Sequence, residues 1–280
     1  MNETIRLAIS TCPNDTFAFH ALMNGLVDMR GLQYEIELLD IQQLNDRLVR
    51  KEFDIIKASF AAAVEVAGEY WVLPSGSALG FGVGPLLLAA KKHTIPSKDS
   101  QITLCPGKLT TATLLFEAFY PDTTLVEHRV FSEIMPQLSQ QQADFGVCIH
   151  EGRFTWQEQG LHLVQDLGTR WEHETNCPLP LGGIFASRQL EDGVIQRVQT
   201  SLRDSIDFAR TQPELALPTM RKFAQELNDS VLMQHVDLYV NQWTLDLGED
   251  GADAIEQLCQ RARGSRLVRS TTTLEIFSCR

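Results

Sequence analysis

The stretch Val147-Cys148-Ile149-His150-Glu151-Gly152-Arg153 changes character in one step, from an apolar run to four residues that do not belong in a core. Three consecutive apolar residues suit a buried parallel strand. In open α/β sheets ligands bind just outside the carboxyl ends of the strands. A histidine at such an end titrates near neutral pH, so His150 is the first candidate for a general base. A second candidate lies in Phe53–Ala58, an apolar strand with Lys57 near its end and Ser59 just beyond it. Lys57 can be read as a snorkelling surface lysine. Its place at a strand end facing the cleft favours an anion anchor instead. A third candidate is the unit of strand Ile102–Cys105, loop 106–111 and helix Ala112–Phe119. It leaves Thr110, Thr111 and unpaired backbone N–H groups at a helix N-terminus, which favours an anion by ~0.3–1 kcal/mol. Capping of that helix by Thr110 is compatible with the same role.

Other motifs fail on inspection. The glycines of Gly80-Phe81-Gly82-Val83-Gly84 lead into the strand-like Pro85–Ala90 rather than opening a helix, so they are no dinucleotide fingerprint. They are read as permitting close backbone approach to a ligand or to the other half of the protein. Gly107-Lys108-Leu109-Thr110 lacks the upstream glycine of a nucleotide-triphosphate loop. The six cysteines form no C-x-x-C pair and no histidine stands at zinc-ligand spacing, so no metal site is expected. The cysteines read as reduced buried or loop thiols; as nucleophiles, Cys12 and Cys105 are the minority candidates because each follows a strand. His20, His235 and Trp243 are assigned to packing, and Trp171–Asn176 to an exposed charged segment.

A formal net charge of −12 without any Lys/Arg cluster argues against nucleic acid and anionic membranes as partners. No apolar run reaches the ~18–20 residues of a membrane span, and the N-terminus runs straight into a strand without a signal-peptide pattern, so a cytoplasmic protein is expected. The expected partner is a small-molecule carboxylate, held by local positive or N–H-rich groups; oligomeric state is left open.

These candidates need elements to position them. Arg6–Ser10, a helix from Thr16 capped by Asn14 or Asp15, Leu32–Leu39, the stripe Ile41, Leu44, Leu48, Val49 and Phe53–Ala58 spell β-α-β-α-β, the start of a parallel sheet. Polar, proline-containing Lys91–Ser100 reads as a crossing to a second α/β unit, and Cys177–Gly183 as the return. The last third is helical, with apolar stripes through Ile195–Ala209, Val231–Trp243 and Ala252–Ala262. Two crossings make the first domain discontinuous: residues 1–94 plus 178–280 form a larger α/β lobe and 95–177 a smaller one. That is the layout of a hinge-closing fold with its ligand between the lobes.

Several blocks, in order over nearly the whole chain, resemble the 1,4-dihydroxy-6-naphthoate synthases of the futalosine route to menaquinone. They are Cys12-Pro13-Asn14-Asp15-Thr16-Phe17, Lys57-Ala58-Ser59, Ser77–Leu86, His150-Glu151-Gly152-Arg153-Phe154-Thr155, Leu179-Pro180-Leu181-Gly182, Tyr239-Val240-Asn241 and Leu245-Asp246-x-Gly248. The resemblance implies a two-lobed fold of the periplasmic-binding-protein type II kind. It also implies a cofactor-free lyase converting cyclic dehypoxanthine futalosine to 1,4-dihydroxy-6-naphthoate and a dihydroxyacetone fragment. By the matching motifs the family's general base falls on His150, its ligand-contacting Lys-x-Ser on Lys57, Ala58 and Ser59, and its threonine pair on Thr110 and Thr111. Trp156 stands where tyrosine is common. A chorismate dehydratase on the same fold and a non-catalytic solute-binding protein are the alternatives.

Overall fold

The computed structural model of the chain describes residues 3–149, 152–224, 228–264 and 272–278. The elements run β1 (Glu3–Ser10), α1 (Pro13–Ala18), α2 (His20–Met23), β2 (Leu32–Leu39), α3 (Ile41–Val49), β3 (Ile55–Ser59), α4 (Phe60–Glu65), β4 (Tyr70–Val72), β5 (Ala78–Gly80) and β6 (Leu86–Ala89). They continue with β7 (Ile102–Cys105), α5 (Thr111–Phe119), β8 (Leu125–His128), α6 (Phe131–Ser139), β9 (Phe145–Cys148), α7 (Gly152–Thr155), β10 (His162–Asp166) and α8 (Leu167–Thr175). The chain closes with β11 (Leu179–Ser187), α9 (Asp192–Thr211), α10 (Pro213–Phe223), α11 (Asp229–Tyr239), α12 (Gln242–Leu245) and α13 (Gly248–Gly264).

Among the described residues these strands form two sheets. The first has the order β2-β1-β3-β11-β4, with β5 also paired to β11. β1 lies parallel to β2 and β3, as a β-α-β-α-β start demands, and β11 returns antiparallel to β3. The second sheet has the order β10-β6-β9-β7-β8. β9 runs parallel to β7 and antiparallel to β6. The molecule therefore has the expected two-lobed α/β architecture.

The outward crossing lies earlier than the polar segment at 91–100 suggested. β6 pairs with β9 and β10, so Leu86–Ala89 belongs to the second sheet and the chain leaves the first between β5 and β6. A polar, proline-bearing loop marks a surface excursion, and here that excursion joins β6 to β7 within one lobe. The glycine run at the true crossing has a direct steric reason. A Cβ on Gly84 would stand 2.1 Å from the Gly168 Cα of α8, closer than any side chain tolerates. Trp171, read as exposed, is fully buried on α8 and donates its Nε1–H to Pro178 O at 3.2 Å.

Local rules account for the elements that carry the site. α3 opens with a capping box, the Asp40 carboxylate accepting from the Gln42 and Gln43 amides while Gln43 reaches back to the Asp40 N–H. Leu44 and Leu48 form its buried face. β3 is buried along all five residues, which fits a central strand covered on both faces. α1, expected to be capped by Asn14 or Asp15, instead starts after Cys12 with Pro13 in its first turn and no side-chain cap. That leaves the side chains of Asn14 and Asp15 for other work.

The core does not stop at the lobe boundary. One apolar cluster runs from Ala58, Phe60 and Val64 of the first lobe through Leu115, Phe116 and Val147 of the second to Leu258 of α13. A separate cluster packs β1 and β3 against α9 through Ile5, Leu7, Ile55, Val198 and Leu202.

Candidate active site

β1, β3 and β7 all end at one cleft between the sheets. It holds a cavity of about 100 Å³ and is lined from the first lobe by Ser10, Asn14, Asp15, Lys57 and Ser59 and from the second by Thr110 and Thr111. Five of the six residues expected to form the site thus have described positions. Lys57, Ser59, Thr110 and Thr111 line the cavity, and Ala58 is buried in β3 between two of them. His150 lies outside the described residues; the residue before it, Ile149, lines the cleft.

Lys57 is buried, and its ammonium has a matched counter-ion. Nζ lies 3.0 Å from Asp15 Oδ1 and donates to Gly76 O at 2.9 Å. Asp15 also accepts from Ser10 Oγ at 2.5 Å and from Asn14 Nδ2 at 2.9 Å. A buried ammonium must be paired and hydrogen-bonded to remain charged, and this one is. The cleft therefore presents Lys57 as one half of a neutral pair rather than as a bare positive charge. An ammonium has three N–H donors, so a third remains beyond the bonds to Asp15 and Gly76.

The two lobes meet through the other predicted anchors. Thr111 N–H donates to Ser59 Oγ at 2.9 Å, the two hydroxyls are 3.0 Å apart, and Thr111 Oγ1 donates to Leu181 O at 3.0 Å. Since Thr111 spends its proton on Leu181, Ser59 donates to Thr111 Oγ1. Asn45 adds a second bridge: its Oδ1 accepts from Ser59 N–H at 2.9 Å and its Nδ2 donates to Leu109 O at 3.1 Å. Thr110 caps α5, accepting from Thr113 N–H at 3.2 Å while donating to Gly107 O at 3.0 Å. Gly107 holds φ +97°, a backbone region favouring glycine, and so turns the β7–α5 loop toward the cleft.

The glycine-rich crossing is tied to α7. Arg153 of α7 donates through one guanidinium nitrogen to Gly84 O and through the other to Asp166 Oδ2 at 2.8 Å. Asp166 in turn caps α8.

One sequence assignment changes, and one minority candidate falls. Cys105 is fully buried and burial pushes its thiol far above the ordinary range, so it is no nucleophile. His235, assigned to packing, lines the cavity and hydrogen-bonds Asn14 Oδ1 through Nε2 at 3.0 Å. His20 does behave as a hydrogen-bonded, partly buried histidine, with Nδ1 2.8 Å from Thr219 Oγ1. Asp15, Asn14 and Asn45 were missed, although the rule that drew attention to the ends of β3 and β9 applies equally to the end of β1. Among the described residues no group of three or more His, Cys, Asp or Glu could hold a metal ion, and no helix is long and apolar enough to cross a membrane.

Fold and cleft together define a two-lobed, periplasmic-binding-protein-like α/β protein with a small-molecule site between its sheets. The same fold is seen in the aliphatic sulphonate binding protein SsuA from Escherichia coli, with TM-score 0.64 at 14% identity over 100% of this chain and 96% of that one. Protein AF1704 from Archaeoglobus fulgidus is nearer, with TM-score 0.88 at 29% identity over 93% and 97% of the two chains. The model of the family described as "Menaquinone biosynthesis" matches residues 5–264. The 1,4-dihydroxy-6-naphthoate synthase of Thermus thermophilus is 40% identical over 95% of this chain and 96% of its own. That of Streptomyces coelicolor is 39% identical over 95% of each. The chain belongs to this menaquinone-biosynthesis family and is an enzyme of that pathway.

Proposed function

We propose that the protein is a carbon–carbon lyase that converts cyclic dehypoxanthine futalosine to 1,4-dihydroxy-6-naphthoate and dihydroxyacetone. The observation that carries this reading is the cleft, whose polar groups at Lys57, Ser59, Thr110 and Thr111 come from both lobes of a family member. The named reaction of the two bacterial relatives supports the choice of product.

In this reading His150 acts in its neutral form as the base that removes the proton starting carbon–carbon cleavage. The first turn of α5, whose Ala112 lines the cavity, and the remaining N–H of Lys57 offer donors to the substrate's carboxylate, while the hydroxyl oxygens of Ser59, Thr110 and Thr111, their protons already committed, can accept from its hydroxyl groups. Lys57 serves as an N–H donor whose charge Asp15 has already offset. Joining of the lobes through Ser59–Thr111 and Asn45–Leu109 excludes water from the reacting carbons. Ring opening and cleavage then need a positioned base and no oxidant.

The test is direct. Wild-type protein incubated with the cyclic futalosine derivative is expected to release the naphthoate, and with chorismate to release nothing. The His150→Ala variant is expected to lose about 10²–10⁴-fold in kcat. Dehydration of chorismate would replace this reading with the sister activity. Near wild-type turnover by folded His150→Ala would remove His150 as the base.

A further inference from the structure

The cleft holds a histidine whose surroundings are more ordered than packing requires. His235 of α11 is buried, lines the cavity and packs its ring 4.5 Å, centroid to centroid, from that of Tyr239, which also lines it. Its Nε2 lies 3.0 Å from Asn14 Oδ1, and Asn14 Nδ2 donates to Asp15 Oδ1 at 2.9 Å. Asp15, paired with Lys57, only accepts hydrogen bonds, so the Asn14 amide must direct its NH2 toward Asp15 and its carbonyl toward His235. The proton of a neutral His235 therefore sits on Nε2, and Nδ1 is its acceptor nitrogen. A chain of four polar groups thus fixes both the tilt and the tautomer of one imidazole on the cavity wall.

We propose that His235, oriented by Asn14, is a substrate-positioning residue that contacts the ring portion of the bound aromatic carboxylate. This rests on the naphthoate-forming reading above. A histidine serving only as apolar filler would gain nothing from an orienting relay, and a phenylalanine would fill the same space beside Tyr239.

Two readouts keep the two readings separable. Turnover by the wild-type protein tests the reaction. Binding of 1,4-dihydroxy-6-naphthoate, titrated calorimetrically into wild type and variants, tests His235. The His235→Phe variant is expected to melt within a few degrees of wild type, to bind naphthoate roughly 10–100-fold more weakly and to lose a similar factor in kcat/KM. The His235→Gln variant, whose amide can still donate to Asn14, is expected to recover most of both. A purely structural role would lower the melting temperature in both variants and leave naphthoate affinity of the folded fraction unchanged. If His235→Phe does not fold, Asn14→Ala releases the imidazole and is held to the same thresholds. Naphthoate affinity within threefold of wild type in the folded variant overturns the inference, as does a wild-type protein that binds no naphthoate.

Discussion

Removing the Asp15 carboxylate should be the most damaging single change in the cleft that leaves the apolar core intact. Asp15 and Lys57 are each about 3% exposed, and the contact between them is 3.0 Å. In Asp15→Ala the ammonium would retain Gly76 O and lose its counter-ion. Ser10 Oγ and Asn14 Nδ2 would lose their acceptor at the same time. Breaking a buried pair by deleting one partner costs about 3–5 kcal/mol, because an uncompensated charge remains out of water. For a chain of this size that corresponds to a fall in Tm of about 6–20 °C. Deleting both partners, in Asp15→Ala with Lys57→Met, removes the stranded charge. The double variant should therefore recover much of the loss, with a coupling energy of about 1–3 kcal/mol. Thermal melts followed by circular dichroism on the four proteins of this cycle give the answer. A Tm drop under about 2 °C for Asp15→Ala, or strict additivity in the double variant, would show that the pair behaves like an exposed one and would refute the reasoning.

Three further outcomes follow from other contacts. Gly84→Ala drives a Cβ to 2.1 Å from the Gly168 backbone and should cost at least about 3 kcal/mol, whereas Gly193→Ala, in α9 with nothing within 4 Å, should be neutral or stabilising by up to about 1 kcal/mol in the same melts. Burial lowers the His20 pKa below its ordinary 6.5, so the unfolded chain binds more protons than the folded one as pH falls below that value. This contribution is complete above the unfolded pKa and is lost on acidification; the Tm decline between pH 8 and pH 5.5 should be shallower in His20→Gln. Because Asp15 offsets Lys57, capture of an anionic substrate should gain little from net charge, and kcat/KM should vary by less than about threefold between roughly 0.05 and 0.3 M salt. A steep fall with salt would mean that Lys57 meets the ligand as an unmatched cation.

The fold was legible where local pattern and global architecture agree. The β-α-β-α-β start, the apolar stripes of α9 and α13 and the strand–loop–helix unit around Thr110 each follow from spacing alone. The sheet boundary was not, because a strand of four apolar residues such as Leu86–Ala89 carries no mark of which sheet it will join. Pairing partners decide that, and they lie some 60 to 80 residues away at β9 and β10. α8 was misread for a related reason. The charges of Glu172, His173 and Glu174 dominate its sequence, while the single buried Trp171 that anchors it looks no different from a surface aromatic.

The cleft shows the same asymmetry between single residues and relations among them. Lys57, Ser59, Thr110 and Thr111 announce themselves because each is a polar interruption at the end of an apolar element. Asp15, Asn45 and His235 sit inside helices where a polar residue has an ordinary explanation, as a cap, a solvent-facing position or a packed ring. Their roles depend on partners distant in sequence, up to 221 positions for His235 and Asn14. The consequence reaches the chemistry. Read from sequence, Lys57 is a cation waiting for an anion; set beside Asp15, it is half of a neutral pair, and the burden of holding a carboxylate moves to the backbone N–H groups of the α5 terminus beside Thr110 and Thr111 and to the third N–H of Lys57. An acidic protein can then bind an acid without a positive patch, provided the donors are fixed in place. The hydrogen bonds linking Ser59, Thr111 and Asn45 across the lobes supply that fixing.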